Sequence, residues 1–188
     1  MIDVYDNLIE SDLSDNIENN ILNDTFPFFY RNITVDQNHY DDLKYKKDIK
    51  DGPQLTHNFC NHNSISNHFN VVEPLINEMI KILNYNKLIT FTRIKANLKM
   101  NNNNLNKDFY NTPHIDKSED YTNVENAALY FVNNTDGDMF FFNNIEDQKV
   151  IKRVSPKKGR FIIFKNNLYH SGQHPIDSKV RCTINFNF

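Results

Sequence analysis

From residue 89 onward the chain is broken into short runs rich in Phe, Ile, Val and Tyr, and this patterning constrains its fold more than any other feature. The runs 89–98, 110–116, 127–133, 138–142, 149–154, 160–165, 168–171 and 180–188 have strand length and are bounded by Asn, Asp, Gly or Pro. So many short strands in about 100 residues point to a sandwich or jelly roll. The expected fold class is mainly β, with helices packed on the outside.

Those helices belong to the first half. Leu13, Ile17 and Ile21 recur every four residues, and Ser11 or Ser14 can cap the helix they define. In the aromatic knot Phe26-Pro27-Phe28-Phe29-Tyr30, Pro27 blocks helix and the rings demand burial. Residues 36–53 are polar and end in Gly52-Pro53, the pattern of a mobile loop. The clearest helix covers 73–84, where Pro74 suits the first turn and Leu75, Ile76, Met79, Ile80 and Leu83 form one stripe. With 188 residues, 39% hydrophobic, one core is the expectation. Residues 1–188 are read as a single domain, 1–88 a helical and loop part and 89–188 the jelly-roll core.

Composition removes several function classes. The net charge is −3, and the basic cluster from Lys44 to Lys50 is diluted by Tyr45 and Asp48, so no polyanion-binding surface is expected. No run approaches the roughly 20 apolar residues of a membrane span. The N-terminus lacks the profile of a signal peptide, which makes the cytosol the default compartment. There, Cys60 and Cys182 have no reason to pair. Gly 4 in the whole chain argues against glycine-rich nucleotide loops, and no P-loop or G-x-G-x-x-G occurs. Asn is over-used, as in Asn101-Asn102-Asn103-Asn104, which AT-rich coding explains.

His114-Ile115-Asp116 is the informative triplet. In a strand, residues two apart share a face, so the imidazole and the carboxylate converge while Ile115 points away. A second histidine from a distant strand completes two His and one carboxylate, which leave the opposite side of a metal open, as in non-haem Fe(II) oxygenases. His170 and His174 compete for that position. His170 follows the apolar run Phe161-Ile162-Ile163-Phe164 and the Asn166-Asn167 turn, at the start of a new strand, and is favoured. His174 sits beside Pro175 in what reads as a loop near the site mouth.

Eleven residues past His170 comes Arg181, opening the terminal strand (181 − 170). Alternation puts Arg181, Thr183 and Asn185 on one face and Cys182, Ile184 and Phe186 on the other. An inward guanidinium is expensive unless it meets an anion, and a carboxylate is its natural bidentate partner. Thr183 can donate a hydroxyl to the same group. His57, Cys60 and His62 fall short of a structural zinc set and read as a loop over the site mouth.

Several blocks together resemble the Fe(II)- and 2-oxoglutarate-dependent dioxygenases grouped with prolyl 4-hydroxylases, from about Thr92 to Phe188. They are Thr112-Pro113-His114-Ile115-Asp116, Ala128-Leu129-Tyr130-Phe131-Val132-Asn133 with Asp136-Gly137-Asp138-Met139-Phe140-Phe141, and the run from Val154 to Phe164. Tyr169-His170-Ser171-Gly172 and Val180-Arg181-Cys182-Thr183 follow in the family's order. The resemblance implies a double-stranded β-helix, Fe(II) held by His114, Asp116 and His170, and the distal carboxylate of 2-oxoglutarate held by Arg181. It also implies a hydroxyl contact from Thr183, with a further cosubstrate contact expected from Asn97 or its same-face neighbour Lys95. The chain departs from the pattern where Asp136-Gly137 replaces a frequent Gly-Gly, and where Phe131 stands in place of a cosubstrate-binding tyrosine.

The implied reaction consumes O2 and 2-oxoglutarate and hydroxylates an unactivated C–H bond, releasing succinate and CO2. Phe140, Phe141 and Phe142 could line the pocket. The leading substrate is a peptidyl prolyl or other amino-acid side chain, ahead of free amino acids and small metabolites. Nucleic acid and membrane are not expected as partners; Phe186-Asn187-Phe188 lacks the further arginine a nucleic-acid demethylase would favour. Two rivals remain: a cupin-type metal enzyme such as an isomerase, and a non-catalytic jelly-roll binding module.

Overall fold

The alternation of the last strand sorts the whole molecule into two cores. In the computed structural model, which describes residues 1–34, 52–62, 64–83, 90–102, 108–116 and 125–188, the elements run in chain order as follows. They are β1 (Ile2–Tyr5), α1 (Ser11–Ile21), β2 (Phe29–Arg31), β3 (Gln54–Asn61), β4 (Ser64–Ile65), a 3-10 turn (Phe69–Val71) and α2 (Glu73–Leu83). Then come β5 (Arg93–Met100), β6 (Asn126–Phe131), β7 (Met139–Phe142), β8 (Val150–Val154), β9 (Phe161–Lys165), β10 (His170–Gly172) and β11 (Val180–Asn187).

A large antiparallel sheet has the order β1-β9-β6-β11-β5-β3-β2, with β4 on β3, and a small sheet has the order β10-β7-β8. Cys182, Ile184 and Phe186 of β11 face the helices, where they join Ile94, Ala96, Tyr130, Phe161 and Ile163 under Ile17, Ile21, Leu75 and Met79. Between the sheets, Ala127, Leu129 and Phe131 meet Met139, Phe141, Val154, Ile162 and Phe164. β6 and β9 therefore send alternate side chains into different cores, as a strand buried on both faces must. This is a jelly roll with the helices outside.

The first half differs from its expectation as helix and loop, because it adds strands to the large sheet. β1 pairs with β9, and β3 pairs with β5. β3 escaped the pattern for a physical reason: a bulge between Asn58 and Cys60 shifts its phase, and its buried residues include the polar Gln54, Thr56 and His57. Neither serine caps α1. Its N-cap is Glu10, without a side-chain bond, and Ser14 lies inside the helix, where its Oγ accepts a bond from the Tyr130 hydroxyl at 3.3 Å. α2 starts at Glu73 as expected, and residue 84 lies outside the described residues, as does the expected loop 36–53 apart from Gly52 and Pro53.

His57 and Cys60 sit in β3 rather than in a mouth loop. The His57 Nδ1–H donates to the Pro27 carbonyl at 2.8 Å, so its Nε2 accepts from the Ser66 hydroxyl at 2.9 Å. Phe26 and Phe59 flank the ring, each with a centroid distance of 4.8 Å. Burial lowers the His57 pKa, the Pro27 carbonyl opposes that and His68 reinforces it. Below pH 6.5 the unfolded imidazole takes up a proton that the folded one refuses, so this contribution to stability is lost as pH falls. The Tm of the metal-free protein should drop between pH 7 and about 5. His57→Gln should flatten that slope in a thermal-melt series.

Candidate metal centre

His114 lies in a single bridge rather than in the full strand expected over 110–116, and its partner is His170. Their backbones bond in both directions, His114 N–H to the His170 carbonyl at 3.0 Å and His170 N–H to the His114 carbonyl at 2.9 Å. The Asp116 N–H donates to the Asn166 carbonyl at 3.1 Å, which fixes the third residue against the turn before β10. As a result one nitrogen of each histidine and one Asp116 oxygen lie within 4.8 Å of one another.

Hydrogen bonds set the tautomers. The His114 Nδ1–H donates to the Thr112 carbonyl at 3.0 Å, and the His170 Nδ1–H to the Leu168 carbonyl at 2.9 Å. Both Nε2 lone pairs are then left for a ligand role. His170 Nε2 is buried without a hydrogen-bond partner, 3.8 Å from Asp116 Oδ2. An orphaned, buried imidazole nitrogen beside a carboxylate and a second imidazole fits a divalent metal ion. Phe164 packs edge-on against the His170 ring at 4.9 Å.

Asp116 is held from both sides. Arg93 Nη2 donates to its Oδ1 at 3.1 Å and Asn187 Nδ2 to its Oδ2 at 3.1 Å, while Arg93 Nε donates to Asn187 Oδ1 at 2.9 Å. Burial alone would raise the Asp116 pKa, but His170, Arg93, His114 and the Asn187 bond outweigh it and hold the carboxyl well below its usual range. For His114, burial and the neighbouring His170 push the pKa down to about 3, against Asp116. The group is thus poised as a carboxylate and neutral imidazole, the protonation states that metal ligation needs. Asn187→Ala should weaken metal affinity by roughly 10–100-fold, the usual effect of losing a partner of a ligand. Equilibrium dialysis against Mn(II) measures it.

Arg181 is 2% exposed on the face of β11 between the sheets. Its Nε donates to the Gly137 carbonyl at 2.6 Å, Nη2 lies 3.8 Å from Met139 Sδ, and Cζ stands 5.3 Å from the centre of the Phe131 ring. No carboxylate among the described residues pairs with it, and burial lowers its pKa to about 10. Glycines make its niche. A Cβ on Gly172 would sit 3.3 Å from Arg181 Nη1, and one on Gly137, whose φ is +93°, would meet Arg181 Cδ at 3.0 Å. Asp136 braces the neighbouring turn by accepting the N–H groups of Ile176, Asp177 and Ser178 at 2.6, 3.0 and 2.8 Å.

Thr183 and Asn97 face each other across β11 and β5 on the same side as Arg181, one row nearer the Asp116 end. Asn97 Nδ2 donates to Asn185 Oδ1 at 3.3 Å. His174 stands apart from the His114 group and is buried rather than at a loop mouth, its Nδ1 3.1 Å from the Met100 carbonyl. Cys60 and His57 are on the helix side. Arg93 and Asn187 were missed from sequence. Their only signal was phase, since Arg93 shares the alternation of Asn97, and Asn187 that of Arg181.

Comparison with solved structures gives the same architecture in a prolyl hydroxylase from Trichoplax adhaerens, in complex with a hypoxia inducible factor oxygen degradation domain peptide fragment. It is 13% identical, with TM-score 0.68, covering 100% of this chain and 83% of that one. A Pseudomonas putida prolyl-4-hydroxylase gives TM-score 0.60 at 11% identity, covering 100% and 91%. A Burkholderia pseudomallei oxidoreductase of the 2OG-Fe(II) oxygenase family gives 0.66 at 8%, covering 99% and 84%. These likenesses establish the fold. Sequence comparison with curated proteins returns no match. The sequence profile of the 2OG-Fe(II) oxygenase superfamily matches residues 99–188, the stretch that supplies His114, Asp116, His170 and Arg181. That match makes residues 99–188 a 2OG-Fe(II) oxygenase domain and supports a 2-oxoglutarate-dependent non-haem iron dioxygenase, on a fold shared with prolyl hydroxylases.

Proposed function

We propose that His114, Asp116 and His170 hold the Fe(II), that Arg181 anchors the distal carboxylate of 2-oxoglutarate with Thr183 and Asn97 beside it, and that the hydroxylated group is a peptidyl prolyl or other amino-acid side chain. The observation that carries the site assignment is the buried, orphaned Nε2 of His170 facing Asp116, on the face that also buries Arg181. The substrate reading rests on the peptide held by the Trichoplax prolyl hydroxylase that shares the fold.

With Fe(II) bound, 2-oxoglutarate and O2 supply the oxidising power, one oxygen atom leaving in succinate as CO2 departs and the other entering the substrate C–H bond. The chain's own residues prepare that chemistry. Each Nδ1–H is committed to a backbone carbonyl, which turns each Nε2 toward the site, and burial keeps His114 neutral. Arg93 and Asn187 hold Asp116 ionised and oriented. Arg181 neutralises one carboxylate of the cosubstrate, and Phe131, Phe141 and Phe164 keep water from the space between the sheets.

The single chain acts as one domain in a reducing cytoplasm, where Cys60 and Cys182 stay as buried thiols. No described helix is long and apolar enough to cross a membrane. An anaerobic titration with Fe(II) and then 2-oxoglutarate tests the site through the visible charge-transfer band of the chelate. The band should vanish in His114→Ala and need far more 2-oxoglutarate in Arg181→Ala. Bound metal without a band would favour a cupin-type enzyme, and no metal binding a jelly-roll binding module. For the substrate, proline-containing peptides should gain one oxygen atom by mass spectrometry; oxidation of free amino acids alone would overturn the peptide reading.

A further inference from the structure

The run Phe26-Pro27-Phe28-Phe29-Tyr30 demands burial of its rings, and the fold grants it to the first two alone. Phe26 is buried in the helix-side core and Phe28 packs beside it, with a centroid distance of 5.1 Å. Phe29 and Tyr30 are 63% and 66% exposed, and neither ring stacks on another among the described residues. Both lie on β2, the last strand of the large sheet, whose outer edge pairs with no strand among the described residues. A free edge presents backbone donors and acceptors in strand register, and natural edges are usually blunted by charge. β2 carries one charge, Arg31, beside two uncovered rings.

Register connects this edge to the metal centre. Phe29 stands opposite Thr56, Thr56 opposite Asn97 and Asn97 opposite Thr183, so Phe29 is on the face of the sheet that carries Arg181. Tyr30 falls in the row of Leu55, Leu98 and Cys182, on the helix side. A strand laid along β2 would therefore meet one ring on each of its faces. Three strand spacings, about 14 Å, separate β2 from β11. Asn187, which holds Asp116, lies about 13 Å along β11 from Thr183. An extended chain covers that diagonal of roughly 19 Å in about six residues. We propose that β2 captures a flank of the peptide substrate as an added strand, with Phe29 and Tyr30 against its two faces, while a residue about six positions away lies at the metal. This rests on the peptide reading of the substrate, and it makes the length of chain around the reacting residue a determinant of specificity. Main-chain pairing supplies affinity with little demand on sequence, and the rings favour apolar side chains on the added strand.

The test uses proline-centred peptides with randomised flanks, in one pool of about twenty residues and one trimmed to about seven, whose ends fall short of β2. Oxygen incorporation is read by mass spectrometry on Fe(II)-loaded protein with 2-oxoglutarate, at equal and limiting peptide concentration. The wild type should oxidise the long pool about tenfold faster, the effect of burying aromatic anchors. The double variant Phe29→Ser, Tyr30→Ser should treat the two pools alike within about twofold, with its rate on the short pool and its Tm unchanged, because both rings are exposed. Phe29→Tyr should keep the advantage of the long pool. Equal rates on the two pools in the wild type, or an advantage that survives the double variant, overturns the inference. So does gel filtration in which the wild type is a dimer and the double variant a monomer, since the edge then pairs with a second copy. If neither pool gains oxygen although the charge-transfer band of the 2-oxoglutarate chelate forms, the peptide reading itself fails and takes this inference with it.

Discussion

Asp116→Ala is expected to bring turnover and Fe(II) retention below detection in a chain that still folds. Asp116 is the one carboxylate in the His-Asp-His group, and without it two neutral imidazoles face a divalent cation. Neither Arg93 nor Asn187 can substitute, since one is a fixed cation and the other an amide already bonded to Arg93. The loss also removes the carboxylate that Arg93 pairs with, so a modest fall in Tm should accompany the functional loss. Asp116→Asn separates the two effects: it keeps the shape and loses the charge. Metal content by mass spectrometry after gel filtration, read beside a thermal melt, distinguishes an empty site from a collapsed one. A variant that keeps stoichiometric iron would sink the assignment.

The second large effect concerns Arg181, and it falls on function rather than on stability. Arg181→Met should raise the Kd for 2-oxoglutarate by about 10–100-fold, the range of hydrogen bonds to charged groups. Metal affinity should stay at wild type, because the residue touches none of the three ligating side chains among its described contacts. Stability of the cosubstrate-free protein should remain near wild type. Burial pushes the guanidinium pKa down to about 10, a sign that the folded state carries an unfavourable charge, and methionine removes it. Against that, the Gly137 carbonyl loses its donor, at about 1–3 kcal/mol. The stabilisation that 2-oxoglutarate gives the wild type should be absent in the variant. Melts with and without 2-oxoglutarate, run on Mn(II)-loaded protein, show both results together; a large fall in Tm without ligand would mean that Arg181 is structural.

Strand patterning made most of the β5–β11 half legible, because strands buried on both sides leave dense apolar runs between polar turns. His114, Asp116 and His170 were legible for a different reason: a two-residue spacing is itself a geometric statement. The strand expected around His114 shrank to one bridge, yet the convergence survived because His170 holds it through the backbone. Arg93 and Asn187 could not be read. Their contact joins residues far apart in sequence (187 − 93 = 94), and only the register of β5 against β11 brings them to Asp116. β3 was hidden by its bulge and by polar residues whose burial a hydrophobicity pattern does not register.

The glycines around Arg181 carry a consequence for how such a site can be lost. The chain has only Gly 4, and two of these, Gly137 and Gly172, are where a methyl group would press on the guanidinium. The recess is therefore defined by missing atoms, and no charged or metal-binding residue need change to close it. Gly137 is the more exacting position, since any side chain there meets both a backbone that favours glycine and the Gln173 carbonyl at 3.0 Å. A relative that kept the His-Asp-His group and the arginine, but carried alanine at both places, would look intact in sequence while its guanidinium was pressed out of this niche.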